Sequence, residues 1–248
     1  MAAGIVFLLT AQLSLSQKID EANEKARPAN ISTITMRPLD CADCFDPSVI
    51  LSALAEQPVI FTNQETVAYP SERAQELIDA YGITALPALI LTGETDKPNI
   101  ADTLSGQTRS ANDGHVWANM PPPTLDLITG EVLGRVEIML LTDPSCADCY
   151  DVRVHEAILK RSFGMAIAST RTIERASSEG RDLMARYDIT ALPTAILSQN
   201  ASLYSTFVGA WKSVGSTEED GAFVFRNLAV LGAYLDLKTG DLVRPNTQ

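Results

Sequence analysis

Residues 81–91 read Tyr81-Gly-Ile-Thr-Ala-Leu-Pro-Ala-Leu-Ile-Leu91, and residues 187–197 repeat them as Tyr187-Asp-Ile-Thr-Ala-Leu-Pro-Thr-Ala-Ile-Leu197. The shared prolines, Pro87 and Pro193, stand 106 residues apart. Working upstream, Asp40-Cys41-Ala42-Asp43-Cys44 matches Ser145-Cys146-Ala147-Asp148-Cys149 at an offset of 105, and these pairs hold all 4 cysteines of the chain. Ahead of them, Ile31–Met36 lies over Val136–Leu141, both rich in β-branched or large aliphatic residues. Downstream, Asp113-Gly114 matches Asp220-Gly221 at 107, and Leu125-Asp-Leu-Ile-Thr-Gly130 matches Leu235-Asp-Leu-Lys-Thr-Gly240 at 110. A slow drift of offset is what duplication followed by small loop insertions leaves, so the chain carries two homologous units.

Each unit shows the same order of elements. A strand runs into the cysteine pair, and an apolar-periodic segment follows as a helix, Pro47–Leu54 and then Val152–Phe163. Short strands come next at Val59–Thr62 and Met165–Ala168, then helices at Ser71–Tyr81 and Ser177–Tyr187. Ser71 and Ser177 are N-cap candidates with acidic residues behind them. The strands after the shared prolines are Ala88–Leu91 and Thr194–Leu197, and a further strand is expected over Ser202–Val208, ending at Gly209. The Asp-Leu-x-Thr-Gly endings read as tight hairpins with glycine at positive φ. Alternating strands and helices closed by a hairpin give an α/β fold with a mixed sheet. The expected organisation is an N-terminal apolar segment and charged helix over 1–27, a first domain over 28–134 and a second over 135–248.

A strand–Cys-x-x-Cys–helix unit with Ala-Leu-Pro downstream, present twice, resembles the thioredoxin superfamily and its tandem protein disulfide oxidoreductases and isomerases. The resemblance covers most of residues 31–248. It implies two tandem thioredoxin-like domains, each with a mixed central sheet flanked by helices. It also implies that Pro87 and Pro193 are cis and face the cysteines, leaving the backbone groups of Leu86 and Leu192 free to pair with an extended client peptide. Leu86, Pro87, Leu192 and Pro193 are therefore the candidate substrate-binding residues. Cys41 and Cys146 are the implied nucleophiles, each placed at a helix N-terminus whose partial positive charge favours the thiolate. Cys44 and Cys149, three residues on and on the same helix face, resolve the mixed disulfide. No organic cofactor is called for; the partners are protein thiol or disulfide clients and a redox partner protein.

The chain departs from that family at the dipeptide between the cysteines. Asp43 and Asp148 stand there, with Asp46 and Asp151 two residues beyond each pair. A carboxylate beside a thiolate raises the thiol pKa, opposing the helix terminus, so the centres are expected to be reducing or isomerising rather than strongly oxidising. Two other readings stand beside this one. A Cys-x-Asp-Cys pair is half of a metal site, which would make the chain a metal carrier. Alternatively, the units are thioredoxin-like scaffolds with static disulfides, since fold alone does not prove activity. His115 and His155, the only 2 histidines, do not occupy equivalent positions and are expected at the surface or a boundary, and Tyr81 and Tyr187 in the core.

Composition narrows the partners. The chain has 248 residues, 46% of them hydrophobic, enough for two domains with real cores. A net charge of -12 argues against nucleic acid or an anionic membrane surface, because phosphate binding needs basic patches. Ala2–Leu15 is an uncharged, largely apolar run too short to span a bilayer alone, followed by the charged stretch Lys18–Arg27. It is read as the remnant of an export signal or membrane anchor, giving an extracytoplasmic location, with a docked amphipathic helix and a cytoplasmic protein as the alternative.

Overall fold

The structure, a computed structural model, describes residues 17–245, so the apolar run over 2–15 lies outside the described residues. The chain divides into two compact units, Met1–Met120 with Thr124–Glu131, and Pro121–Pro123 with Val132–Gln248. Among the described residues no helix is long and apolar enough to cross a membrane.

The first unit opens with an exposed helix, α1, over 17–26. It continues through β1 (Ala29–Pro38), α2 (Ser48–Ala55), β2 (Val59–Tyr69), α3 (Glu72–Tyr81), β3 (Ala85–Leu86), β4 (Ala88–Gly93) and α4 (Pro98–Leu104). A hairpin of β5 (Arg109–Ala111) and β6 (Gly114–Trp117) and the short β7 (Thr124–Asp126) follow, with β8 (Val132–Leu133) just past the division. The second unit repeats this as β9 (Arg135–Thr142), α5 (Val154–Phe163), β10 (Ala166–Glu174), α6 (Ser178–Arg186), β11 (Ala191–Leu192) and β12 (Thr194–Leu197). After a 3-10 turn over Gln199–Leu203 come α7 (Ser205–Trp211), β13 (Gly215–Thr217), β14 (Phe223–Phe225), β15 (Tyr234–Asp236) and β16 (Leu242–Val243).

The main sheets have the same order, β2-β1-β4-β6-β5 and β10-β9-β12-β14-β13. In each, the first two strands are parallel and the rest antiparallel. The central strands are buried on both faces because successive side chains point to opposite sides. In β1, Ala29 and Ile31 face one apolar cluster while Ile34 and Met36 face the other. In β9, Val136, Ile138 and Leu140 face one cluster and Met139 and Leu141 the other. Helix α3 lays Ala74, Leu77, Ile78 and Tyr81, spaced i, i+3, i+4 and i+7, on the second face of its sheet. Helices α2 and α4 cover the first face through Leu54, Ile100 and Leu104. Each unit is thus a mixed sheet between helices, the thioredoxin-like α/β architecture.

Ser71 and Ser177 cap α3 and α6: their Oγ atoms accept the N–H of Ala74 at 3.1 Å and of Gly180 at 2.9 Å. The Asp-Leu-x-Thr-Gly endings are tight turns built alike. Asp126 Oδ1 accepts the N–H of Ile128 at 2.8 Å and Thr129 at 3.0 Å; Asp236 Oδ1 accepts those of Lys238 at 2.7 Å and Thr239 at 3.3 Å. Gly130 and Gly240 close the turns at φ of 73° and 79°, a region a side chain disfavours. The strand expected over Ser202–Val208 is instead the 3-10 turn and α7, with Gly209 inside the helix. Thr206, Phe207 and Val208 carry strand propensity, but Tyr204, Phe207 and Trp211 bury together only at helical spacing, and burial wins. Strand β2 also runs on to Tyr69, with Thr62, Asn63, Gln64 and Thr66 exposed at the sheet edge.

Candidate disulfide centres

Both Cys-x-x-Cys segments lie in the loop between the central strand and the next helix, and each pair is joined as a disulfide, Cys41–Cys44 and Cys146–Cys149. The expected place at a helix N-terminus is corrected, because α2 begins only at Ser48 and α5 only at Val154. The aspartates beyond each pair bond backbone amides next to these starts. Asp46 Oδ1 accepts the N–H of Ser48, the first residue of α2, at 2.9 Å, and Asp151 Oδ1 accepts the N–H of Arg153, just ahead of α5, at 3.0 Å, so both bonds fall downstream of the cysteines. The Ser48 amide, helped by Arg37, holds the Asp46 carboxyl below the usual carboxylate range; Arg153 does the same for Asp151. The cysteines form turns of their own, with the Cys44 N–H on Cys41 O at 3.3 Å and the Cys149 N–H on Cys146 O at 3.4 Å. Helix-terminus stabilisation fades within a turn, so the helices favour these thiolates less than the resemblance implies.

The two centres differ in access and charge. Cys41 is buried at 6% exposure, whereas Cys146 and Cys149 are both half-buried. Asp43 Oδ1 lies 3.7 Å from Cys41 Sγ, so a carboxylate does sit on the first sulfur of the first pair. Asp148 turns instead to Arg244, whose guanidinium lies 2.5 Å from its Oδ2. Below Cys146, the buried Asp143 accepts the N–H and Oγ–H of Ser145 at 2.9 and 2.7 Å. Arg175 Nε lies 2.7 Å from its second oxygen, an ion pair whose angle falls short of a hydrogen bond. Burial works to raise the Asp143 carboxyl, and Ser145 and Arg175 together outweigh it, keeping it below the ordinary range.

The Leu86–Pro87 and Leu192–Pro193 bonds are cis, and Leu86 and Leu192 are fully buried. In the second unit the Leu192 carbonyl lies 3.8 Å from Cys149 Sγ, bringing the Leu-Pro segment against the pair. The backbone groups at these leucines are not free, however. Leu86 is registered with Leu125 in an antiparallel β3–β7 pair, and Leu192 with Leu235 in β11–β15. The Leu127 N–H reaches Thr84 O at 2.9 Å and the Leu237 N–H reaches Thr190 O at 2.9 Å. By the alternation of antiparallel ladders, Leu86 with Leu125 and Leu192 with Leu235 are the next hydrogen-bonded positions. In both units the chain's own Asp-Leu-x-Thr-Gly hairpin occupies the edge that the resemblance assigns to a client.

A polar group legible in neither motif sits behind the second pair. Tyr150, directly after Cys149, donates its hydroxyl hydrogen to Pro193 O at 2.8 Å and lies 3.0 Å from His155 Nε2. With the phenol hydrogen spent on Pro193, Nε2 carries the hydrogen it donates to Tyr150. Burial raises the Tyr150 phenol and pushes His155 down to about 4, so the imidazole is neutral. His155 is 5% exposed and packs edge-on against Phe225 at 4.6 Å, which corrects its expected surface or boundary place. Gly232 takes φ of +144° where a side chain would begin 3.0 Å from Tyr150 Cβ, and the Tyr150 N–H bonds Ala233 O at 2.8 Å. At the same repeat offset the first unit has Phe45 and Ile50, and that mismatch between the copies was the signal available in the sequence. His115 is a boundary residue, with Nδ1 3.0 Å from Thr108 Oγ1. Tyr81 and Tyr187 are core residues whose hydroxyls donate to Asp113 at 2.6 Å and Asp220 at 2.8 Å, which explains the repeated Asp-Gly. Among the described residues no three His, Cys, Asp or Glu side chains are grouped to hold a metal ion.

No family model matches the chain, and no curated protein does. Among solved structures it is similar to the AhpF component of the alkylhydroperoxide reductase of Enterococcus faecalis, at 14% identity over 75% of this chain and 88% of that one, with a TM-score of 0.22. The NTD_N/C domain of the same AhpF protein is similar at 15% identity over 75% of this chain and 89% of that one, with a TM-score of 0.19. Likeness at that level carries no argument. The chain's own sheets and loops define its architecture.

Proposed function

We propose that the chain is a thiol–disulfide oxidoreductase acting on protein clients, with Cys146–Cys149 as the centre that meets them. The single observation that carries this is the second disulfide itself: a four-residue loop, half-buried, with the Leu192 carbonyl 3.8 Å from its second sulfur. In the reducing direction the Cys146 thiolate attacks a client disulfide, one client sulfur leaves as thiolate, and a mixed disulfide forms. Cys149, deprotonated in turn, attacks Cys146 and releases the second client thiolate. Two electrons pass to the client, and a partner dithiol restores them by the same exchange. Run backwards, the sequence installs a disulfide. The carboxylate near Cys41 supports a reducing or isomerising role over a strongly oxidising one. A client reaches the Leu192 backbone by displacing β15, strand for strand. An extracytoplasmic site of action, with attachment through the apolar N-terminal run, remains part of this reading.

A second reading is favoured for the first unit alone. Cys41 is buried, which suits a static disulfide there. Mixed-disulfide trapping tests both. With Cys149→Ser, the reduced protein should hold disulfide-containing proteins covalently through Cys146; with Cys44→Ser, trapping through Cys41 should be much weaker. Absence of any adduct in the first variant, together with a Cys146–Cys149 disulfide that resists dithiothreitol in the wild type, would sink the enzyme reading.

A further inference from the structure

Helices α2 and α4 in the first unit, and α5 and α7 in the second, cover one face of the sheet with different side chains. In the first, the space between α2, α4 and the strands is shut to about 10 Å³ by Ile31, Leu54, Phe61, Leu91, Ile100 and Leu104. In the second unit a cavity of about 260 Å³ opens beside α5 and α7, bounded also by Phe225, Val230 and Leu231, with Leu159, Phe207 and Trp211 in its wall as counterparts of Leu54, Ile100 and Leu104. Helix α7 begins and ends 107 residues after α4, so Phe207 and Trp211 stand where Ile100 and Leu104 stand in the first copy.

We propose that this cavity is a binding site for a small, uncharged ring compound carrying one hydrogen-bond donor, such as a phenol. The walls include Phe163, Phe207, Trp211 and Phe225, and no charged side chain lines them. Phe207, Trp211 and Phe225 are buried, while Val230 at the rim is 57% exposed and gives an entrance. An apolar cavity of about 150 Å³ takes up a benzene ring, so the volume here suits one substituted ring or two fused ones and is too small for a folded peptide segment. The wall's one titratable group is His155. Its Nε2 is engaged by Tyr150, and its Nδ1 has no hydrogen-bond partner among the described residues. A neutral imidazole donating from Nε2 presents Nδ1 as an acceptor, which sets the ligand's group as a donor and disfavours a carboxylate. The same ring holds Tyr150, so the site shares a wall with the loop of the second disulfide while needing no redox step to bind. It goes beyond the thiol–disulfide reading and stands if that reading fails.

The test uses the oxidised full-length protein with 4-fluorophenol and its donor-less analogue 4-fluoroanisole, followed by fluorine NMR. Saturable binding of the phenol is expected in the micromolar to low-millimolar range, with the anisole at least fivefold weaker. Val214→Phe, which fills the cavity from its rim, should abolish it, and thermal unfolding should show that this variant still folds. In a Trp117→Phe background the phenol should quench the remaining Trp211 fluorescence with the same midpoint. Equal binding of phenol and anisole overturns the donor assignment. No saturable binding of either, or binding untouched by Val214→Phe, overturns the site. Self-association that Val214→Phe abolishes while neither probe binds would assign the cavity to a second copy of the chain and overturn the small-molecule proposal.

Discussion

At the scale of single residues, the two centres are set apart by a few substitutions between the copies. Tyr150 ties Pro193 to the loop after Cys149, and Tyr150→Phe restores what the first unit has at Phe45. Losing that hydroxyl leaves Pro193 O and His155 Nε2 without their partner, so the second unit should lose about 1–3 kcal/mol in urea unfolding while the first is unchanged. His155 gives a pH signature. Its folded pKa, about 4, lies below the unfolded 6.5, so between those values the unfolded state binds more protons. The stability from keeping it neutral is complete above pH 6.5 and is lost as pH falls towards 4, by on the order of 3 kcal/mol. Urea midpoints of the second unit at pH 7, 5.5 and 4 should show that slope, and His155→Ile should flatten it. Asp43 and Asp148 make a matched pair. Asp43→Asn should lower the Cys41 thiol pKa, since it removes a negative charge 3.7 Å from the sulfur. Asp148→Asn should move Cys146 less, because Arg244 already answers that charge. Rates of alkylation against pH decide both. The cysteines and prolines were legible because their spacing recurs. The Tyr150–His155–Pro193 group was not, because it joins a loop, a helix and a strand start that only the folded chain brings together.

At the scale of elements, the repeat spelled out strands, helices and caps wherever local chemistry decides them. Ser71 and Ser177 were readable as caps, and Ser71→Ala or Ser177→Ala should each cost about 1 kcal/mol. The Asp-Leu-x-Thr-Gly turn was readable too, but not its docking, because β3 and β11 are two-residue strands that have meaning only beside a partner. Asp236→Ala removes the acceptor for two turn amides and loosens the hairpin that covers Leu192. Amide hydrogen exchange at Leu235 and Leu237 should speed up at least tenfold, with no change in α6. Helix α7 was misread as a strand because its propensity is β-like, and only the pocket it packs into makes it helical.

At the scale of the whole molecule, each unit has its own pair of apolar clusters flanking a five-stranded sheet. The disulfides add little to that. Each links residues three apart, and closing so short a loop contributes about 2 kcal/mol, less than disulfides that span a domain. Full reduction with a phosphine should therefore leave the circular dichroism unchanged and lower the melting midpoints only by a few degrees. Unfolding on reduction would mark the pairs as staples and favour the scaffold reading. The net charge of -12 favours solubility through mutual repulsion between molecules, an effect that salt should weaken.

The hairpin on the Leu-Pro edge carries a quantitative consequence. An edge already held by β15 is available to an incoming strand only in the fraction of molecules where the hairpin has let go. Apparent affinity falls by that fraction, so a hairpin open about once in a hundred weakens client binding about a hundredfold, roughly 2.7 kcal/mol. On the proposed exchange reaction, a client would compete with an internal strand of fixed sequence, Tyr234-Leu-Asp236 in the second unit. On that reading selectivity would follow from which segments out-compete the strand, and changing Leu235 would retune the whole client range at once.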